Sequence, residues 1–204
     1  MGNVRQSASW PRQSGHRGVT LIELMVAVSV LAILLAIAAP NFQGMTASSR
    51  LTSVSNELLG SIQQARAQAI RTGARVTVCR STNGTQCDTT TGVGWDRGWI
   101  VFGDTTRSGA DAAVDTGETI LTRITTPGTG ASVAGSAQVA NYVSFAADGR
   151  PRLMGGGIQA GTLRVCSSSD ALRNDTRARD IVLTTAGQIN VVRPANVANN
   201  CPNP

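Results

Sequence analysis

Gly15-His16-Arg17-Gly18-Val19-Thr20-Leu21-Ile22-Glu23 opens an apolar run that lasts to Ala39. Between Leu24 and Ala39 no residue carries a charge, and from Val19 to Ala39 Glu23 is the single ionisable side chain. A bilayer needs ~20 predominantly apolar residues to be crossed by a helix, so residues 19–39 are long enough. A carboxylate near the end of such a segment costs roughly 2 to 3 kcal/mol if left unpaired in lipid, and it marks a functional group with a partner. The partner must be a cation. If the chain is cut between Gly18 and Val19, the new α-amino group of Val19 lies one helical turn from Glu23. The same amine can instead meet Glu23 of a neighbouring subunit.

Two other readings fit parts of the segment. Ala36-Ile37-Ala38 satisfies the small-residue pattern of an ordinary secretory signal, but that signal's apolar core is usually ~7 to 15 residues and excludes a residue such as Glu23. A plain membrane anchor leaves Glu23 unexplained.

The quoted block resembles the type III signal of type IV pilins and pseudopilins: a short basic leader ending in Gly, a cut, a fifth residue Glu and a hydrophobic helix. The resemblance implies that a prepilin peptidase cleaves after Gly18 and methylates the amine of Val19, where the family more often has Phe. It implies too that Glu23 neutralises the N-terminus of an adjoining subunit during assembly, and that Pro40 bends the helix.

The chain has 204 residues and a formal net charge of +6. Arg5, Arg12 and Arg17 belong to the leader; without them fifteen arginines face twelve acids, a net charge of +3, and there is no lysine. Basic residues flanking a membrane segment stay cytoplasmic, so everything after Ala39 is expected outside. In a bacterial envelope that is the periplasm, where disulfides persist. Four cysteines allow three connectivities. Cys79 and Cys87 flank the turn-like Ser81-Thr82-Asn83-Gly84-Thr85, which pairs them, and Cys166 with Cys201 follows by elimination. A zinc site would need four thiolates to converge without CxxC pairs or histidine.

His16 is the only histidine and lies in the leader. A processed chain would have none, which removes Ser-His-Asp and Cys-His catalysis. No phosphate loop, Gly-x-Ser-x-Gly elbow or dinucleotide fingerprint is present. Neither enzymatic activity nor a cofactor is expected.

Beyond Pro40, Leu51, Val54, Leu58, Ile62, Ala65 and Ala69 recur at spacings of three and four, the mark of one helical face. Gly73 supplies a stop. Short β-rich runs then follow at Arg75–Cys79, Gly98–Phe102, Thr119–Ile124, Asn141–Phe145, Thr162–Cys166, Asp180–Thr184 and Gln188–Val192, with turn residues between them, which suits antiparallel hairpins. Thr125–Ala140, rich in Gly, Ala, Ser and Thr, reads as a loop with little order. The divisions are thus 1–18 as leader, 19–39 as transmembrane and assembly helix, 40–73 as the helix's amphipathic second half, broken from the first near Pro40, and 74–204 as a periplasmic β-rich head.

The head also carries a resemblance. Cys79, Cys87, Gly94-Trp95-Asp96-Arg97-Gly98-Trp99-Ile100-Val101-Phe102-Gly103-Asp104, an acidic loop, and Glu118-Thr119-Ile120-Leu121 are similar to the GspH/FimT group of minor pilins and pseudopilins. The implied fold is α+β and type IV pilin-like: a long N-terminal α-helix, transmembrane in its first half, packed on an antiparallel β-sheet head. The implied function is a non-catalytic subunit of a type IV pilus or a type II secretion pseudopilus. Its implied partners are other pilins or pseudopilins, the prepilin peptidase and the inner membrane. Trp95 and Trp99 are expected as head core. Asp104, Asp111, Asp115 and Glu118 lack calcium-loop spacing and surround Arg107, so no metal is assigned.

Some members of the group bind DNA for natural transformation through a Gly-Arg-x-Arg motif. Gly149-Arg150-Pro151-Arg152 has that spacing, making Arg150 and Arg152 candidate DNA contacts, with Arg164, Arg173, Arg177 and Arg179 downstream. The better-placed hairpin, however, reads Gly187-Gln188-Ile189-Asn190, without arginine. Interspersed Asp148, Asp170, Asp175 and Asp180 weaken the field that phosphate binding needs. DNA uptake is therefore the alternative, not the favoured function.

Overall fold

The computed structural model describes residues 18–106, 109–125, 127–128 and 130–204, with residues 37–41 described by their backbone alone. The leader, with Gly15, His16 and Arg17, lies outside the described residues, as does Arg107 of the acidic loop. The chain divides into two compact units that meet at Ala39 and Pro40.

One helix, α1, runs over Leu21–Thr72. Its start carries a signal the sequence reading passed over: Thr20-Leu21-Ile22-Glu23 has the spacing of a capping box, in which the cap's hydroxyl satisfies an orphan N–H of the first turn. The Glu23 N–H donates to Thr20 Oγ1 at 3.3 Å. Its end is set by Gly73, whose φ of 63° is left-handed and favours glycine. Pro40 lies within α1, where its N cannot donate to the carbonyl four residues back. Between Leu21 and Ala36 every described side chain is exposed. Among the described residues no helix is long and apolar enough to cross a membrane.

In the second unit, the stripe Leu51, Val54, Leu58, Ile62, Ala65 and Ala69 is at most 1% exposed. It packs on two four-stranded antiparallel sheets. The first has the order β3-β2-β1-β5, with β1 at Val76–Arg80, β2 at Trp99–Gly103, β3 at Ile120–Ile124 and β5 at Tyr142–Phe145. The second has the order β4-β6-β7-β8, with β4 at Ser132–Gly135, β6 at Gly161–Cys166, β7 at Ala178–Leu183 and β8 at Ile189–Val192. The expected seven strands are all present, to within two residues at either end, and they form two sheets.

The loop expected at Thr125–Ala140 is not one throughout. β4 pairs antiparallel with β6, Val133 opposite Val165, and a 3₁₀ turn follows at Ala137–Val139. Val133 and Val139 anchor this stretch, and both are buried in the central core. Small residues between them let the chain lie close: a Cβ on Gly135 would collide with the Val139 carbonyl oxygen. Composition rich in Gly and Ala hides a strand whose pairing comes from a distant partner.

The inner faces of the two sheets and the helix stripe share one core containing Val76, Val78, Trp99, Val143, Leu163, Val165 and Ile181. The first sheet is covered on its other face too, where Cys79, Ile100, Phe102, Tyr142, Ala112 and Met154 form a second cluster. That explains why β1 is buried at all five positions instead of alternating. Trp95 and Trp99 are core residues, both fully buried; the Trp95 Nε1–H donates to the Ala140 carbonyl at 2.9 Å and that of Trp99 to Ser61 Oγ at 2.8 Å. The second bond ties α1 to β2.

Candidate functional site

Gly18, Val19 and Thr20 precede α1 without regular secondary structure and are exposed. A Cβ on Gly18 would meet nothing within 4 Å. The fold therefore places no demand for glycine there, and any requirement for it arises elsewhere. Glu23 stands in the first turn of α1, where a carboxylate also complements the helix dipole. Around it are exposed apolar side chains, among them Leu21, Ile22, Leu24 and Met25.

Cys79 is bonded to Cys87 with a Cα–Cα distance of 5.5 Å, and Cys166 to Cys201 at 5.7 Å. The first bridge closes the Ser81–Gln86 turn, in which Asn83 Oδ1 accepts from the N–H groups of Thr85 and Gln86. The Arg80 guanidinium organises the next stretch by donating to the carbonyls of Asp88, Val93 and Thr90. The second bridge holds the C-terminal tail on the outer face of β6 and β7, with Val197 buried against Cys166 and Ala178.

Gly149-Arg150-Pro151-Arg152 forms a tight turn: the Gly149 N–H donates to the Ala146 carbonyl, and the Ala146 N–H to the Arg150 carbonyl. Arg150 is exposed and Arg152 half-buried. This turn lies beside the β7–β8 hairpin, so the two stretches weighed as alternatives in the sequence are neighbours. Gly187 has a φ of 81°, and a Cβ there would meet the Gly149 carbonyl oxygen at 2.6 Å. Arg66 of α1 joins them, its Nε–H donating to that same carbonyl at 3.2 Å. Arg66 was not singled out in the sequence, since helical arginines on a polar face give no signal of a contact 83 residues away.

Most downstream arginines are committed within the head. Arg164 makes a bidentate pair with Asp180, both contacts 2.8 Å, and donates to the Pro202 and Asn203 carbonyls. Arg177 is buried and donates to the carbonyls of Ser167, Ser169 and Leu172. Arg179 donates to the Thr176 and Ala178 carbonyls; burial, then the nearby Arg193, pulls its pKa down. Arg173 is paired with Asp175 at 3.4 Å at the surface. These side chains fasten loops and the tail, and the charges of Arg164 and Arg173 are offset by Asp180 and Asp175.

In the acidic loop, the Glu118 carboxylate accepts from the N–H groups of Thr105, Thr106 and Asp115, which makes it a loop clamp. Asp104 is buried and accepts from Thr77 Oγ1 at 2.6 Å. Burial pushes its pKa up, against the stabilising Thr77 bond. Among the described residues no cluster of His, Cys, Asp or Glu could hold a metal ion.

The model of the family described as type II transport protein GspH matches residues 54–187, and that of the prokaryotic N-terminal methylation motif matches residues 13–39. No curated relative matches the chain significantly. Among solved structures, type IV minor pilin FimU of Pseudomonas aeruginosa has the same fold, with a TM-score of 0.51 at 18% identity, covering 72% of this chain and 95% of that one. A second crystal form of FimU gives a TM-score of 0.46 at 17% identity, covering 71% and 98%. The methylation motif spans the Gly18–Val19 junction and the apolar run, and the larger match spans more than half of the chain, from the buried helix stripe to the β7–β8 turn: the chain belongs to the GspH family of minor pilins and pseudopilins.

Proposed function

We propose that this chain is a minor pilin or pseudopilin that is cut after Gly18, N-methylated on Val19, held in the bacterial inner membrane by the first part of α1 with its head in the periplasm, and taken into a filament through that same helix. The observation that carries the reading is the pairing of an exposed Gly18-Val19 junction with a helix surface from Leu21 to Ala36 that is exposed on every side. An apolar surface of that extent needs lipid or other subunits to cover it. The charge of Glu23 then has a partner in the methylated amine of an adjoining subunit, and Pro40 is the place where the helix bends. The subunit works by assembling, without catalysis.

The fold of FimU is shared at low identity and leaves the choice of machine to other arguments. Two disulfides and long loops favour a type IV pilus over a secretion pseudopilus. DNA uptake is supported less well: of Arg150, Arg152, Arg164, Arg173, Arg177 and Arg179, Arg150 and Arg152 are the two whose guanidinium groups have no protein partner among the described residues.

The reading is tested at both ends of the junction. Gly18→Val should accumulate as the uncut precursor in cells that contain a prepilin peptidase, since the fold itself has room for the side chain. A mature N-terminus at Ala39 by mass spectrometry would reassign the segment to ordinary secretion. Glu23→Gln keeps the turn but removes the charge; it should be processed and membrane-bound, yet absent from sheared filaments. Normal incorporation of Glu23→Gln would reduce Glu23 to a helix cap.

A further inference from the structure

Two sheets have four edges, and an exposed edge is an invitation to pair unless something blocks it. β4 is blocked by the 3₁₀ turn Trp95–Arg97, where Asp96 Oδ1 accepts from the Val133 N–H at 3.5 Å. β5 is blocked by the chain that follows it: Gln159 Oε1 accepts from the Ser144 N–H, and the Arg152 N–H donates to the Ser144 carbonyl. β3 loses register against β2 at a bulge between Val101 and Phe102 and carries Arg123. β8 has none of these devices.

The hydrogen-bond alternation of an antiparallel pair shows which groups of β8 are free. The Thr184 N–H donates to the Gln188 carbonyl at 3.0 Å, which makes that a bonded pair. In the register Val182–Asn190 and Asp180–Val192, the bonded pairs then continue through Asn190 and Val192. The N–H and C=O groups of Ile189 and Val191 consequently point away from β7, and among the described residues they have no other partner.

The side chains beside this edge form a receiving surface. Ile189 and Val191 stand opposite Leu183 and Ile181, which are core residues, so they face α1. Between β8 and α1 runs an open groove of about 290 Å³ lined by Gln63, Arg66, Ala67, Ile70 and Ile189. Ile70 is 54% exposed and Val191 44%. An arginine stands at each end of the β8 edge, one of them in the groove. Arg66 stands at the hairpin end, with only its Nε committed, to Gly149. Arg193 follows β8 at the other end, close enough to Arg179 to disfavour its charge.

We infer that the β8 edge, with the groove between it and α1, accepts an extended segment of a neighbouring filament subunit by strand addition. The segment's groove-facing residues read acidic, apolar, apolar, acidic. The inference rests on the assembly reading for the identity of the partner, but not for the chemistry of the edge. Main-chain bonds to Ile189 and Val191 supply affinity, alternate side chains supply selectivity, and the carboxylates meet Arg66 and Arg193. The distance along the strand from Gly187, which Arg66 approaches, to Arg193, ~20 Å, matches the span between the two acids of such a segment.

The test uses the full chain in detergent micelles and two labelled, end-blocked peptides, Glu-Thr-Val-Thr-Val-Thr-Glu and its twin with Lys at both ends. The Glu peptide should bind saturably, and about tenfold or more tighter than the Lys twin at low ionic strength, with the gap closing as salt screens the charges. Val191→Pro removes an N–H that points away from β7, a change an edge strand tolerates, and should abolish binding. Arg193→Glu leaves the backbone untouched and puts one cation and one anion at the two ends, so it should erase the preference between the peptides, and it decides the matter even if the proline variant unfolds. Failure of the Glu peptide to saturate, equal binding of the twins, or binding untouched by either substitution would overturn the inference. Filament entry of Glu23→Gln is read separately, so loss of the edge hypothesis leaves the assembly reading standing.

Discussion

The two stretches of α1 use apolar residues in opposite ways. From Leu21 to Ala36 apolar residues occur all round the helix, and each described side chain is exposed. From Leu51 to Ala69 they are confined to one stripe, which is almost wholly buried, while Asn56, Gln63 and Gln64 stay in solvent. A helix with one apolar stripe can satisfy it within its own domain; a helix that is apolar all round needs an environment apolar all round. The first stretch therefore contributes to association and the second to the stability of the head.

Substitutions that report separately on stability and assembly sharpen this contrast. The largest effect is expected at Trp99, which is fully buried and bonded to Ser61. Trp99→Ala should cost ~3 to 5 kcal/mol of head stability by denaturant unfolding. Leu31→Ala in the first stretch should leave that transition unchanged and lower filament incorporation instead. Equal destabilisation by the two changes would break the contrast.

Next come the bridges, which belong to the second unit alone. Replacing Cys166 and Cys201 by Ser frees a crosslink with a separation of 35 residues, against 8 for Cys79 and Cys87. Loss of the longer one should cost ~2 to 4 kcal/mol, and of the shorter one less, because loop-closure entropy grows with loop length. Thermal unfolding of the two double variants should preserve that order, with membrane extraction unaffected.

The smallest effect is at Asp104. Its folded pKa is raised by burial, so the folded state holds the proton more tightly than the unfolded one. The associated stability is present below the unfolded pKa and is lost as pH rises through the folded value. Asp104→Asn retains an acceptor for Thr77 and should raise stability at neutral pH by no more than about 1 kcal/mol. The gain should vanish in acid, where the wild-type group is protonated too. A variant that is less stable at neutral pH would show instead that Arg75, whose charge favours the ionised form, outweighs the burial.

Sequence alone determined the features governed by local periodicity and covalent chemistry. The N-terminal methylation motif, the apolar run and the buried stripe are written in neighbouring residues, and so is the helix stop at Gly73, because a helix's faces follow from its 3.6-residue period. The hairpin strands were legible for the same reason, with turn residues between short β-rich runs. Tertiary structure alone decided what depends on distant partners. β4 exists because β6 supplies its hydrogen bonds, and the second cluster turns one face of the first sheet inward. Arg164, Arg177 and Arg179, which look alike in sequence as free cations, are fastened to a carboxylate or to backbone carbonyls. Arg66 is drawn to Gly149 across 83 residues. Residue type sets what an arginine can donate to; only the folded chain sets which acceptor lies within reach, since a hydrogen bond needs its partners within about 3 Å and suitably aimed.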